Sequence, residues 1–349
     1  MVKKHASLFF FMLLGFFSLN ADAQLGGNGV FRFLNLPNSA RVAAMGNVLP
    51  MQNTAELDDV FANPSLLSAT HQNTLSLNYS NYIADINFGN VQYAFKVGAK
   101  KTVSTALMMI NYGDFEEYDE TATATGANFS AADYLLNIGY GDVLYKNISY
   151  GINVKAIYGS YDIYRSFALA TDLAFTYKDS SNTLATGLVL KNIGYQLDAF
   201  ENQKERLPFE IALGMSKKLQ FAPIRYHISY KHLQKFDLSY RNTGESSDID
   251  LISGEQKKSR ASFGSKLSQH FVFGAELLFS ATFQIQGAYN LQQHKELSVE
   301  GLGGTAGLSF GFSVNLKKLS LSYAHSQLGS AGGNNYFSLN LKPDFFGKR

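Results

Sequence analysis

Between residues 148 and 177 the chain alternates. Ile148, Tyr150, Ile152, Val154, Ala156 and Tyr158 share one parity, and Ser149, Gly151, Asn153, Lys155, Ile157 and Gly159 share the other. A second run sets Phe167, Leu169, Thr171, Leu173, Phe175 and Tyr177 against Ala168, Ala170, Asp172, Ala174, Thr176 and Lys178. Period-two alternation predicts strands with one apolar face and one small or polar face. Each run has about 11–12 residues, enough for a strand tilted near 45° to cross a bilayer core. Tyrosines at the ends of the apolar rows suit the two lipid–water interfaces.

From Thr74 onward about 14 such runs follow one another, with boundaries good to about 2–4 residues. Ile224, Tyr226, Ile228 and Tyr230 alternate with Arg225, His227, Ser229 and Lys231, charges that belong to a lumen and not to lipid. Phe271, Phe273, Ala275 and Leu277 pair with Phe283, Ile285, Gly287 and Tyr289 across a tight turn. The links alternate too: residues 98–101, 143–146, 179–181, 218–221 and 280–281 are short, whereas 113–130, 194–206, 233–269 and 291–304 are long. A bacterial barrel has short periplasmic turns, long extracellular loops and an even strand number. The expected fold is therefore all-β, a 14-stranded antiparallel transmembrane β-barrel over residues 73–349, its last run pairing with its first because lipid tolerates no open edge. Both termini are expected in the periplasm.

Two segments precede the barrel. Lys3 and Lys4, an apolar run over residues 8–17 and Ala21-Asp22-Ala23 read as a signal peptide over residues 1–23, with the mature chain beginning at Gln24. Residues 24–72 do not alternate. Pro37-Asn38-Ser39 opens a short helix over residues 40–45 that Gly46 ends, and a second local element spans residues 56–67. Too irregular to cross a bilayer, this segment is expected to lie in the lumen as a plug.

Composition changes the picture little. Aromatics make up 14% of the 349 residues and hydrophobic residues 46%, while mean hydropathy is only −0.10, as expected where apolar residues hide in alternation. No cysteine is present, which excludes disulfides, thiolate metal sites and a lipoprotein anchor. A net charge of +2 gives no reason to expect nucleic acid as a partner.

Candidate chemistry is sparse. No lysine has a serine three positions before it, and the single Gly-x-Ser-x-Gly, Gly307 to Gly311, lies within an alternating run where a nucleophile elbow cannot form. No histidines show zinc-like spacing except His227 and His232, which are expected to face opposite sides of a strand end. Asp114, Glu116, Glu117, Asp119 and Glu120 cluster in the first long link, and Asp248 and Asp250 lie in the longest; neither follows an ordered calcium-loop pattern. No catalytic, cofactor or metal site is expected.

Arg41 to Gly46, followed by Asn63-Pro64-Ser65-Leu66-Leu67, resembles the N-terminal signature of the FadL-like outer-membrane barrels. Residues 26–46, 78–87, 111–115, 270–277 and 287–290 resemble, more narrowly, the PorQ-like proteins of the Bacteroidetes type IX secretion system. Asn47 departs from the pattern, standing where many relatives have glycine. The resemblance implies a non-catalytic anchor for a PorZ-like surface protein, acting with PorU and PorV in the complex that processes cargo and joins it to lipopolysaccharide. Arg41, Gly46, Asn63 and Pro64 would then be the plug motif. Asp114, Phe115, Glu116, Glu117, Tyr118, Asp119, Asp248 and Asp250 are chosen as partner-docking residues from topology alone, because the long loops are the large surfaces a partner can reach. The alternative is a FadL-like transporter of hydrophobic small molecules, which requires a greasy lumen pocket; the inward rows of Ser, Gly, Asn, Lys and Ala lean against it.

Overall fold

A computed structural model describes residues 29–52, 54, 56–83, 86–98, 101–119, 121, 123–201, 203–238, 262–298, 304–329 and 332–342. The expected leader, Gln24, Glu120, Asp248 and Asp250 lie outside the described residues. The strands are β1 (Thr74–Asn81), β2 (Asn87–Val97), β3 (Lys101–Tyr118), β4 (Ala124–Tyr145), β5 (Ile148–Tyr161), β6 (Tyr164–Lys178) and β7 (Leu184–Asp198). They continue as β8 (Glu210–Lys218), β9 (Ile224–Tyr230), β10 (Phe271–Leu277), β11 (Phe283–Asn290), β12 (Leu308–Asn315), β13 (Leu319–Gln327) and β14 (Gly333–Leu341). Each pairs antiparallel with the next, and β14 returns to β1 in register from Leu75↔Leu341 to Asn81↔Asn335, closing the barrel.

The barrel is inside-out by the standard of a water-soluble protein. Leu107 is 62% exposed, Phe310 57% and Val154 50%, whereas Asn153, Ser216 and Ser229 are fully buried. Apolar rows outward and polar rows inward are stable where lipid, not water, solvates the wall. Among the described residues no helix is long and apolar enough to cross a membrane.

The region expected as a loop over residues 113–130 is mostly strand. β3 and β4 outrun their other neighbours: β2 leaves β3 at Asn111, β5 leaves β4 at Ala131, and the two strands continue as a hairpin projecting roughly 20 Å. Polarity read as loop, but cross-strand contacts prevail. Phe115 stacks on its partner Phe129 at 5.3 Å, and Asp119 Oδ1 caps the tip by accepting from the backbone amides of Thr121 and Thr123. Similarly, the pause between the two runs of the 148–177 repeat is no break. Pairing runs on to Tyr161↔Tyr164, leaving a two-residue turn at Asp162 and Ile163.

The described residues among 29–73 thread the lumen from the long-loop rim to the short-turn rim. Val30 N donates to Arg206 O beyond β7, a 3₁₀ turn spans Arg32–Asn35, and helix α1 follows over Ala40–Ala44. Ser39 caps it by accepting from Val42 N. Gly46 and Asn47 both take left-handed backbone angles, with φ of 61° and 63°. Asparagine tolerates that conformation better than other side-chain-bearing residues, which suits Asn47 to this turn. Its Nδ2 also donates to Asn35 O, tying the turn back. Helix α2 (Asp58–Ala62) and a 3₁₀ turn at Pro64–Leu66 complete the plug. Ala40, Val42, Met51, Leu57, Val60 and Leu66 are buried between plug and wall.

Candidate functional site

The small residues of the inner wall form a seat for the plug. A Cβ placed on Gly151 would stand 2.2 Å from Pro64 C and 2.3 Å from Ser65 N, and one on Gly141 2.5 Å from Pro64 O. Gly214 gives the same room to Met51, Gly274 to Met45 and Gly311 to Ala44. The Asn63-Pro64 motif docks on this surface by hydrogen bonds: Asn63 Nδ2 donates to Pro50 O at 2.7 Å and to Thr176 Oγ1 at 3.2 Å, and Ser65 Oγ lies 2.6 Å from Thr176 Oγ1. The backbone amide of Ser65 returns to Asn63 Oδ1, so Asn63 also caps the following turn.

Charge locks the other side. Arg41 on α1 reaches Glu276 of β10, Nη2 to Oε1 at 2.5 Å, and its Nε donates to Asp59 of α2 at 3.2 Å. Arg225 and His227 of β9 converge on the second Glu276 oxygen at 2.9 and 3.1 Å. Burial works against the Arg41 charge, but Glu276, Asp59 and Glu56 outweigh it and raise its pKa. Burial also pushes the Glu56 carboxyl up to about 7, with Arg41 pulling the other way. A cavity of about 20 Å³, room for one water, remains beside Arg41, Gln52, Asp59 and His227.

A second polar contact holds the barrel seam. Asp58 of α2 accepts from Ser76 and, at 3.0 Å, from Asn78 on β1, and from Asn340 on β14 at 2.8 Å. Ala40 N donates to Ser338 Oγ of β14 at 2.8 Å. The plug thus bonds both strands that close the sheet. On the wall facing Phe61, Lys155 is paired with Asp172 at 2.7 Å and donates to Asn192.

Arg41, Gly46, Asn63 and Pro64 therefore all lie at the plug–wall contact, Asn63 and Pro64 against β5 and β6, Arg41 and Gly46 against β10 and β11. Asp114, Phe115, Glu116, Glu117, Tyr118 and Asp119 fall elsewhere, all exposed on the projecting hairpin at the long-loop rim. Arg225 and His227 were legible only as inward charges; their meeting on Glu276 follows from the register, Glu276↔Arg225 and Gly274↔His227. Reading His227 and His232 as facing opposite sides also fails. Both are buried, because a φ of 57° at His232 breaks the strand's alternation.

One further feature was not foreseen. At the long-loop rim an open cleft of about 550 Å³ is walled by Phe31, Tyr112, Phe115, Phe129, Tyr161 and Phe200. Phe31 and Phe200 lie outside every alternating run, so periodicity gave no signal for them. On the lipid-facing wall, a groove of about 740 Å³ lies where Gly89 interrupts the row of Tyr79, Met109 and Tyr134.

TbuX, a toluene transporter of Ralstonia pickettii, superposes on this structure with a TM-score of 0.52 at 9% identity, over 90% of this chain and 100% of its own. The Pseudomonas putida toluene transporter TodX gives 0.50 at 10% identity over 86% and 95%, and a Pseudomonas aeruginosa FadL homologue 0.50 at 9% over 92% and 100%. The fold is that of the FadL-type outer-membrane barrels. At 9–10% identity it is the superposition of the whole barrel that carries this likeness, which is one of fold. Neither the family models nor the curated proteins yield a match to the sequence.

Proposed function

We propose that this protein is a plugged, non-catalytic outer-membrane barrel that works at its long-loop rim, as a surface anchor of a type IX secretion system. In this reading the short turns and both termini face the periplasm, and the projecting β3–β4 hairpin meets a PorZ-like partner acting with PorU and PorV. The observation that carries it is the seat of the plug. A lumen occupied by chain on a glycine-lined wall and locked by Arg41, Asp59 and Glu276 suits a rigid mount better than a conduit. The resemblance of residues 26–46, 78–87 and 111–115 to PorQ-like proteins supports the same reading.

A second reading has its own support. The FadL-type fold is shared with proteins named as toluene transporters, and the rim carries an aromatic cleft. On the fold comparisons alone, transport of hydrophobic molecules is the better supported of the two. A deletion strain separates them. The anchor reading expects secreted cargo to stay unprocessed or detached from the surface, with a surface partner co-purifying with tagged wild type. Normal secretion with reduced uptake of a hydrophobic nutrient would reject the anchor and favour transport.

A further inference from the structure

The rim cleft has features that a purely greasy pocket does not need. Its rings form two pairs: Phe115 over Phe129 at 5.3 Å, and Tyr161 stacked on Phe200 at 4.5 Å, with Tyr112 edge-on to Tyr161 and Phe31 tilted against Phe200. Behind them lies Asp133 of β4, fully buried. The Tyr112 and Tyr161 hydroxyls both donate to its Oδ2 at 2.8 Å, while Oδ1 has no hydrogen-bond partner. That oxygen sits among the cleft's own rings: Asp133 Oδ1, Phe200 Cζ and Phe31 Cε1 all lie within 2.8 Å of the point where a Cβ on Gly159 would stand.

A phenol that donates to a carboxylate gains electron density in its ring, and ring faces rich in electrons attract cations. The buried carboxylate adds a negative charge directly behind those faces, where screening by salt is weak. Acidic groups gather nearby, although Lys204 and Arg206 flank one of them. Asp114, Glu116, Glu117 and Asp119 stand on the hairpin above, Glu205 lies on the cleft margin, and residues 112–131 contain no lysine or arginine. Arg32 is the cation the cleft already borders, and it shares its field with Glu296.

The geometry points to this cleft as a binding site for an organic cation: an ammonium or guanidinium group, free or carried on a lysine or arginine side chain of another protein. The inference rests on the cleft and not on the anchor reading, so either can fail alone. A neutral aromatic ligand would use the rings but would gain nothing from Asp133 or from the acidic hairpin.

The test is calorimetric titration of the purified, detergent-solubilised full chain. Choline is compared with its uncharged isostere 3,3-dimethyl-1-butanol and with toluene. Acetyl-Gly-Lys-Gly-amide is compared with the same peptide bearing norleucine. The expected result is that choline or the lysine peptide binds roughly 10-fold more tightly than its neutral counterpart. Whichever cation binds better shows whether the source is a free molecule or a protein side chain. Phe200→Leu and Asp133→Asn should each weaken that binding at least several-fold; Phe200→Leu, at a half-exposed loop residue, serves even where Asp133→Asn fails to fold. Equal or tighter binding of the isostere, of toluene or of the norleucine peptide would overturn the inference and make the cleft a hydrophobic site. Absence of binding by every probe would overturn it as well.

Discussion

Adding a single methyl group to the inner wall should unseat the plug. In Gly151→Ala the new Cβ would lie 2.2 Å from Pro64 C, 2.3 Å from Ser65 N and 2.4 Å from Pro64 O, all backbone atoms that cannot rotate away. Ordinary contact begins near 3.4 Å, so the Pro64–Ser65 turn must retreat by about 1.2 Å. That retreat stretches the 2.6 Å contact between Ser65 Oγ and Thr176 Oγ1, and the 3.2 Å bond from Asn63, beyond hydrogen-bond reach. Overpacking costs about 1–3 kcal/mol and each of the two lost bonds about 0.5–1.5, for a total of roughly 2–6 kcal/mol. The strand itself accepts alanine, so the barrel should still form. Gly287→Ala is the control: there the nearest atom lies 3.8 Å away, and the change should stay within about 0.5 kcal/mol. The assay compares thermal unfolding in detergent, proteolytic cleavage within residues 29–73 and ion conductance in planar bilayers. Gly151→Ala should lower the midpoint, expose the plug to protease and raise conductance. If it matches Gly287→Ala in all three, the seat does not depend on close backbone approach and the reasoning is refuted.

Three more outcomes follow from the same contact surface. Glu276→Gln keeps the shape but leaves Arg41, Arg225 and His227 facing a neutral amide; removing one partner from a buried ion pair costs about 3–5 kcal/mol, measurable as a lower detergent melting point and a protease-sensitive plug. Glu56 has a folded pKa raised to about 7 against an ordinary 4.5, so the folded state holds its proton more tightly. Stability should therefore fall as pH rises from about 4.5 through 7 and then level off, and Glu56→Gln should flatten that slope in melts across pH 4–9. Asp58→Asn replaces an acceptor serving Ser76, Asn78 and Asn340 with a group that offers donors to donors. It should cost about 1–3 kcal/mol and slow the appearance of the heat-modifiable folded band on refolding; an unchanged refolding rate would show that the plug plays no part in closing β1 on β14.

How much of this was legible follows from what a period of two encodes. Alternation reports the face of each residue, so the strands, the inward charges Arg225 and His227 and the closure of β14 on β1 could all be read from residue order. It does not report what fills the lumen. The inner rows read as merely small and polar, and only the plug's path shows that Gly151 and Gly141 are small because Pro64 rests on them. Polarity likewise mistook the hairpin for a loop: acidic and threonine-rich strands outside the bilayer carry no apolar row, and the Phe115–Phe129 pair that holds them spans 14 residues of sequence. The rim cleft escaped for a different reason. It is assembled from a residue of the plug segment, the ends of three strands and the link after β7, which share no pattern along the chain.

The plug's attachment also weighs on the choice between mount and conduit. Clearing the lumen would separate Arg41 from Glu276, leaving a charge on each side, and would lift Asp58 from the Ser76, Asn78 and Asn340 side chains that donate to it. At about 3–5 kcal/mol for the ion pair and about 1–3 kcal/mol for the Asp58 hydrogen bonds, the unplugged state is held to about one molecule in a thousand or fewer. A molecule passing through the lumen would have to favour the unplugged state by that same margin, since a ligand shifts an equilibrium only by its differential affinity. A small apolar molecule offers few polar contacts with which to replace Arg41 on Glu276. An anchor makes no such demand, because a partner docking at the rim leaves every plug contact in place and gains from the rigidity those contacts confer.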